Sequence, residues 1–364
     1  MDVAVIGAGV IGLAVARRLA TSGLSTMIIE AAPRFGTGIS SRNSGVIHAS
    51  LYYPPGSLRA TACREGRDLL YAYCETRGVA HRRTGKLIFA ATPDQLGTLD
   101  AIAASARAAD VMDLELLDPG QVRRLEPALA CAGALLSPST GIIDVHELMT
   151  AYLGDAEAAG AMLACSSQVT RVSRRHSQWG IHVDGEPEPC LLAARVINCA
   201  GLRAQAVART VEGLPPSTVP PLAYAKGNYF GYAGRHPFTR LIYPVPEPGG
   251  LGTHLTLDLQ GAARFGPDVE WIDEIDYTVD LARRDRFIEA ARRIWPELDP
   301  ERLQPDYAGI RPKVTRAGEP AADFIVSTPA EHGLPGVVNL FGIESPGITS
   351  SLALAERVCA PILA

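Results

Sequence analysis

Gly7, Gly9 and Gly12 are spaced as G-x-G-x-x-G, and Glu30 follows Gly12 by 18 positions. This pattern can hold a dinucleotide. The first glycine allows a tight turn, the second lets a pyrophosphate approach the backbone, and the third lets a helix pack closely on a strand. A carboxylate placed where Glu30 stands can accept hydrogen bonds from both ribose hydroxyls. A second polar group follows, Ser40, Ser41, Arg42, Asn43 and Ser44, and then His48. Short hydroxyl and amide side chains at this density can donate to phosphates or ring carbonyls; they can equally cap a helix. The seven cysteines (63, 74, 131, 165, 190, 199 and 359) form no C-x-x-C pair, and the eight histidines contain no H-E-x-x-H. No metal site is expected, and the odd, dispersed thiols suit a reducing compartment.

The elements needed to position the glycines are present. Residues 2–6 are a Val/Ile-rich run with the pattern of a buried parallel strand, 11–20 continue as an apolar helix ending near Gly23, and 25–29 form a second strand that ends at Glu30. With strand, helix and second strand in order, a dinucleotide site is preferred over a bare glycine turn. The helix N-terminus offers free N–H groups and partial positive charge to phosphates. The apolar run 3–16 is not read as a signal peptide, because an acidic residue precedes it and Arg17 and Arg18 follow it.

A chain of 364 residues, 47% hydrophobic and 20% charged, has enough material for two domains of an ordinary globular enzyme. The net charge of −5 and the lack of basic runs interleaved with aromatics argue against nucleic acid. No apolar stretch reaches membrane-span length; a cytoplasmic location is expected, with peripheral membrane association left open. Ser57 is expected to cap an amphipathic helix over 58–77 that turns Leu69, Leu70 and Tyr73 to the core, and Asp144 to cap a helix over 145–158. Strands are expected over 85–91, 162–165, 168–174, 180–183, 191–199, 225–232, 241–244, 252–259, 307–313, 324–327 and 337–341. Further helices are expected over 93–109, 118–126, 281–295 and from 347 to about 360, with 141–144 as a connection. This order assembles one nucleotide-binding domain from 1–78, 142–212 and 328–364, and a second, sheet-rich domain from 79–141 and 213–327.

Four segments carry a family resemblance: SSRNSGVIHASLYYPPGSLRA (40–60), LIYPVPEPGGLGTHLTLDLQG (241–261), YAGIRPK (307–313) and NLFGIESPGITSSLALAE (339–356). With the opening glycines, they resemble the D-amino-acid-oxidase-like superfamily of FAD enzymes, and within it most of all the L-2-hydroxyglutarate dehydrogenases. The resemblance implies an α/β fold. Its Rossmann-like FAD-binding domain would be of the glutathione-reductase/D-amino-acid-oxidase type, beside a sheet-rich α+β substrate domain. It implies non-covalent FAD: Arg42 stands where some relatives carry the attached histidine. Gly7, Gly9, Ile11, Gly12, Glu30 and Ala31 would hold the ADP half, and Arg34 would either cover the phosphates or be a solvated charge. Ser40 to Ser44 would line the flavin. Val169 would meet the adenine, or serve only as a core valine, with Ala200 and Gly201 at a close-approach turn. Gly342, Ile343, Pro346, Gly347, Ile348 and Thr349 would place a helix N-terminus at the flavin pyrimidine edge, where reduction leaves negative charge.

The resemblance also implies the chemistry, oxidation of an L-2-hydroxy acid with hydride transfer from C2 to flavin N5. His48, in VIHA, would take the hydroxyl proton, since an imidazole with an unperturbed pKa of about 6.5 is mostly neutral at pH 7; otherwise it is a histidine satisfied in a turn. Arg311, in GIRP, would clamp the α-carboxylate with its planar fork, or else form a structural salt bridge. Lys226, His254 and Arg59, with Tyr243, Tyr53 and Thr256 as neutral donors, are candidates for a second carboxylate. The electron acceptor would be a quinone, an electron-transfer protein or O₂. An amino-acid or secondary-amine oxidase on the same fold, and a non-catalytic FAD-binding electron-transfer subunit, are the rival readings.

Overall fold

The computed structural model describes residues 1–246 and 252–364. Residues 247–251, inside the resemblance segment 241–261, lie outside the described residues. A six-stranded sheet runs in the order Ile325–Ser327, Val337–Phe341, Arg195–Asn198, Val3–Ile6, Thr26–Ile29 and Met162–Ala164. All neighbours are parallel except the first pair. Helices Val10–Ala20, Val145–Ala158 and Gly347–Leu363 pack together on one side of this sheet. A three-stranded antiparallel sheet, Val169–Arg175, Gln178–Val183 and Leu191–Ala193, shares a core with the other side. Cover on both faces explains the unbroken Val/Ile runs of the central strands.

A nine-stranded sheet draws its strands from residues 86–137 and 223–313. Helices Leu96–Ala108, Pro119–Leu125 and Arg284–Ile294 cover one face, over a core that includes Phe230, Phe265, Phe287 and Leu255. Ile325–Ser327, expected with this second sheet, instead pairs with Val337–Phe341 as the antiparallel edge of the first.

Local signals were reliable where a cap or turn residue marked them. Ser57 accepts from the Ala60 N–H and starts helix Leu58–Arg77, and Asp144 accepts from His146 and Glu147 at the start of Val145–Ala158. Apolar runs without punctuation were less informative. The single strand expected over 191–199 is two: Leu191–Ala193 pairs with Gln178–Val183, while Arg195–Asn198 pairs with Val3–Ile6. The connection expected at 141–144 is strand Gly141–Ile143, which pairs with Val46–Ile47 and His81–Arg82. Leu69, expected in the core, is 44% exposed. It sits roughly 100° round the helix from Leu70, just past the edge of the buried stripe. On that stripe Gly66 lets the closing helix approach; a Cβ there would lie 2.3 Å from the Thr349 carbonyl oxygen.

Candidate active site

A cavity of about 2230 Å³ opens between the two large sheets, and the glycine motif forms one end of it. Gly7 has φ +101°, and a Cβ there would lie 2.6 Å from the Cys199 carbonyl oxygen. A Cβ on Gly12 would lie 1.9 Å from the Gly7 carbonyl oxygen. The helix therefore sits where only glycine fits, and the space in front of Gly9 stays free for a phosphate. The Ser40 hydroxyl accepts from the Val10 N–H at 3.0 Å, tying the polar loop to the helix start. The Glu30 carboxylate accepts the Ala8 and Ala32 N–H groups, each at 2.8 Å, which fixes its orientation at the strand end while lone pairs remain for a ribose. Ile11, Ala31, Val169, Ala200 and Gly201 line the same end. A dinucleotide fits this cradle.

Further in, Arg42, Asn43 and Ser44 lie on one wall, and Ile343, Pro346, Gly347 and Ile348 on the other. The Arg42 guanidinium stacks on the Tyr277 ring at 4.1 Å. The Ser44 hydroxyl is hydrogen-bonded to Tyr229 at 3.0 Å. Gly309 lets its strand approach this loop, since a Cβ there would lie 2.3 Å from the Arg42 carbonyl oxygen. On the opposite wall, buried Glu344 is held between Arg59 at 2.9 Å and Lys313 at 2.6 Å. This pairing commits the Arg59 charge to the loop before the closing helix. Glu344→Ala would leave two partly buried cations unpaired. It is expected to cost about 3 kcal/mol or more and to speed FAD loss, measured by urea melts and by fluorescence of released flavin.

His48, Arg311, His254, Tyr243 and Tyr53 converge on the remaining wall. The His48 Nε2 meets the Ser345 hydroxyl at 3.1 Å, and its backbone N–H donates to Thr349 at 3.0 Å. Burial, with Lys86 and His254 nearby, lowers the His48 imidazole to about 3. His254 is lowered likewise, to about 3, by burial and by the positive charges of Lys86 and Arg311. Both rings are thus neutral at neutral pH. The Arg311 guanidinium donates to the Asp268 carbonyl at 3.3 Å, and no carboxylate pairs with it among the described residues. Gly227 makes room for it: a Cβ there would lie 3.0 Å from the Arg311 Nη2.

Several sequence candidates do not line the cavity. Lys226 is one, and strand register is the reason. Ala225 pairs with Arg311 and Gly227 with Gly309, so residue 226 points to the opposite face. There its ammonium meets Asp276 at 3.0 Å and Glu270 at 3.8 Å. Thr256 is buried with its hydroxyl 3.5 Å from the Arg264 carbonyl, Ser41 donates to Gly38, and Arg34 is exposed. Gly12, Gly342 and Thr349 shape the wall from behind it, Thr349 through its bond to the His48 backbone. Sequence reasoning passed over Tyr52, Tyr229 and Ser345, which do line it, and Lys86 just behind it. A lysine inside the apolar strand Lys86–Ala90 was the one signal that could have drawn attention.

Among the described residues, no group of His, Cys, Asp and Glu could hold a metal, and no helix is long and apolar enough to cross a membrane. The model of the family described as "FAD dependent oxidoreductase" matches residues 2–360. The mitochondrial L-2-hydroxyglutarate dehydrogenase of Arabidopsis thaliana is 40% identical, with 98% of this chain and 82% of that protein covered. That of Caenorhabditis elegans is 30% identical over 98% of this chain and 92% of its own. Among solved structures, the FAD-bound L-α-glycerophosphate oxidase of Mycoplasma pneumoniae has the same fold. It superposes with a TM-score of 0.89 at 22% identity, over 98% of this chain and 93% of its own. The glycine oxidase of Geobacillus kaustophilus follows with a TM-score of 0.82 at 22% identity, over 100% and 94%. With a glycine cradle at the start of the first helix and a family match running almost end to end, the chain belongs to the FAD-dependent oxidoreductases.

Proposed function

We propose that this protein oxidises an L-2-hydroxy acid, with L-2-hydroxyglutarate as the preferred substrate, to the 2-oxo acid. The observation that carries the reading is the pairing, in one cavity, of a neutral imidazole and a guanidinium without a carboxylate partner among the described residues. The names of the curated relatives point to the same substrate. Bound FAD supplies the acceptor for two electrons and a hydrogen. Arg311 binds the C1 carboxylate through its planar fork and orients the carbon that is oxidised. His48 takes the hydroxyl proton at Nε2, where the substrate hydroxyl displaces that of Ser345. Tyr53, Tyr243 and His254 enclose the rest of the substrate. An external electron acceptor completes the cycle.

The test is anaerobic mixing of the holoenzyme with L-2-hydroxyglutarate, sarcosine and a set of amino acids while flavin absorbance is followed. Bleaching by the hydroxy acid is expected. Bleaching by sarcosine or an amino acid instead would overturn the reading. Arg311→Lys keeps the charge but loses the fork, and is expected to weaken substrate binding roughly 10- to 100-fold. Unchanged affinity in that variant would remove Arg311 from the site.

A further inference from the structure

The wall of the cavity contains donors that nothing among the described residues satisfies. Lys86 is 1% exposed, and no carboxylate pairs with it among the described residues. Its ammonium lies 4.8 Å from the centre of the Tyr52 ring and 4.7 Å from that of Tyr243. Both rings line the cavity, so the charge sits directly behind its surface. The Tyr52 hydroxyl is buried without a hydrogen-bond partner. Tyr243 stacks on His254 at 3.8 Å, and only the Nδ1 of that histidine is engaged, by the Gly252 carbonyl at 3.1 Å. The register of the sheet brings these groups together: Leu241 pairs with Lys86, Tyr243 with Ile88, and Ile242 with Leu255. Lys86, Tyr243 and His254 therefore share one face, the face turned to the cavity.

A buried cation and an orphan hydroxyl are each costly to leave unmatched. An unpaired ammonium and an unpaired hydroxyl on one wall match an anion. We propose that Lys86 and Tyr52 form the subsite that receives the second carboxylate of the substrate, so that Lys86 determines selectivity for dicarboxylic over monocarboxylic 2-hydroxy acids. The proposal rests on the hydroxy-acid reading for its substrate, but not for its test. Tyr52 supplies a hydrogen bond, and Lys86 supplies charge through a low-dielectric wall where attraction is weakly screened. Burial lowers the Lys86 ammonium to about 7. The groups around it are neutral: the His48 and His254 rings, the raised Cys63 thiol and the two phenols.

The experiment is calorimetric titration of the holoenzyme with glutarate and with pentanoate, two five-carbon acids with no hydroxyl to oxidise. The wild type is expected to bind glutarate more tightly. Lys86→Met is expected to weaken glutarate roughly 10- to 100-fold, as for loss of a charge-assisted contact, and to leave pentanoate within about threefold. Tyr52→Phe keeps the ring and removes only the hydroxyl; a smaller loss confined to glutarate is expected. It decides the matter should Lys86→Met fail to retain FAD. Equal binding of the two acids by the wild type, parallel weakening of both acids in the variants, or an unchanged glutarate preference would each overturn the proposal. Failure of L-2-hydroxyglutarate to bleach the flavin, with the glutarate preference intact and dependent on Lys86, would reject the hydroxy-acid reading alone.

Discussion

Replacing His48 with asparagine is expected to slow flavin reduction by L-2-hydroxyglutarate roughly 100- to 10,000-fold, the usual contribution of a positioned base, with FAD retained. Retention is expected because the ring meets the facing loop through the Ser345 hydroxyl, while stronger ties hold that loop. The contacts that fix this segment are made by the His48 backbone N–H to Thr349 and by the Glu344 pairs on the facing loop. Stopped-flow absorbance under anaerobic conditions measures the step, and an unchanged rate would remove His48 from the chemistry. The pH dependence has a definite sign. A lowered imidazole keeps the proton-accepting form from pH 8 down well past 6.5, so no acid limb from His48 is expected at the ordinary histidine value. The same depression has a cost for the fold. In the unfolded chain His48 and His254 take up protons near 6.5, while in the folded chain they resist until about 3. Stability from these groups is full above about 6.5 and falls as pH drops towards 3. A lower urea midpoint at pH 5 than at pH 7, with a smaller difference in His254→Gln, is the expected result.

Gly12→Ala is expected to yield protein that does not retain FAD. The added methyl would lie 1.9 Å from the Gly7 carbonyl oxygen, a backbone atom that cannot rotate away. Either the helix Val10–Ala20 moves off the strand Val3–Ile6 or the turn at Gly7 opens, and both displace the N–H groups that would face the phosphates. Overpacking of this kind costs about 1–3 kcal/mol and occasionally more, on top of the lost binding. Gly154→Ala is the control. It lies inside helix Val145–Ala158 with nothing within 4 Å of an added Cβ, so a gain of up to about 1 kcal/mol is expected from helix propensity alone. Absorbance of bound flavin in the blue after purification compares the pair. A yellow Gly12→Ala protein of normal stability would contradict the packing argument.

Much of this protein could be read before any coordinates, wherever the cause acts within a few residues. The positive φ at Gly7, the steric demand at Gly12, caps at Ser57 and Asp144, and the acidic end of the second strand are local consequences of residue type and spacing. His48 and Arg311 were singled out through the family resemblance of their segments, and both line the cavity. Tertiary structure alone decided which face of each strand meets the cavity. A one-residue change of phase reverses every side chain on a strand, and pairing of Ala225 with Arg311 sends Lys226 to Asp276 and Glu270 on the far side. The same kind of pairing, Leu241 with Lys86, brings an unremarked lysine behind the wall that Tyr52 and Tyr243 build. Register is set by contacts between segments more than 70 positions apart, so nothing in the immediate sequence of either lysine could distinguish the buried structural charge from the one facing the site.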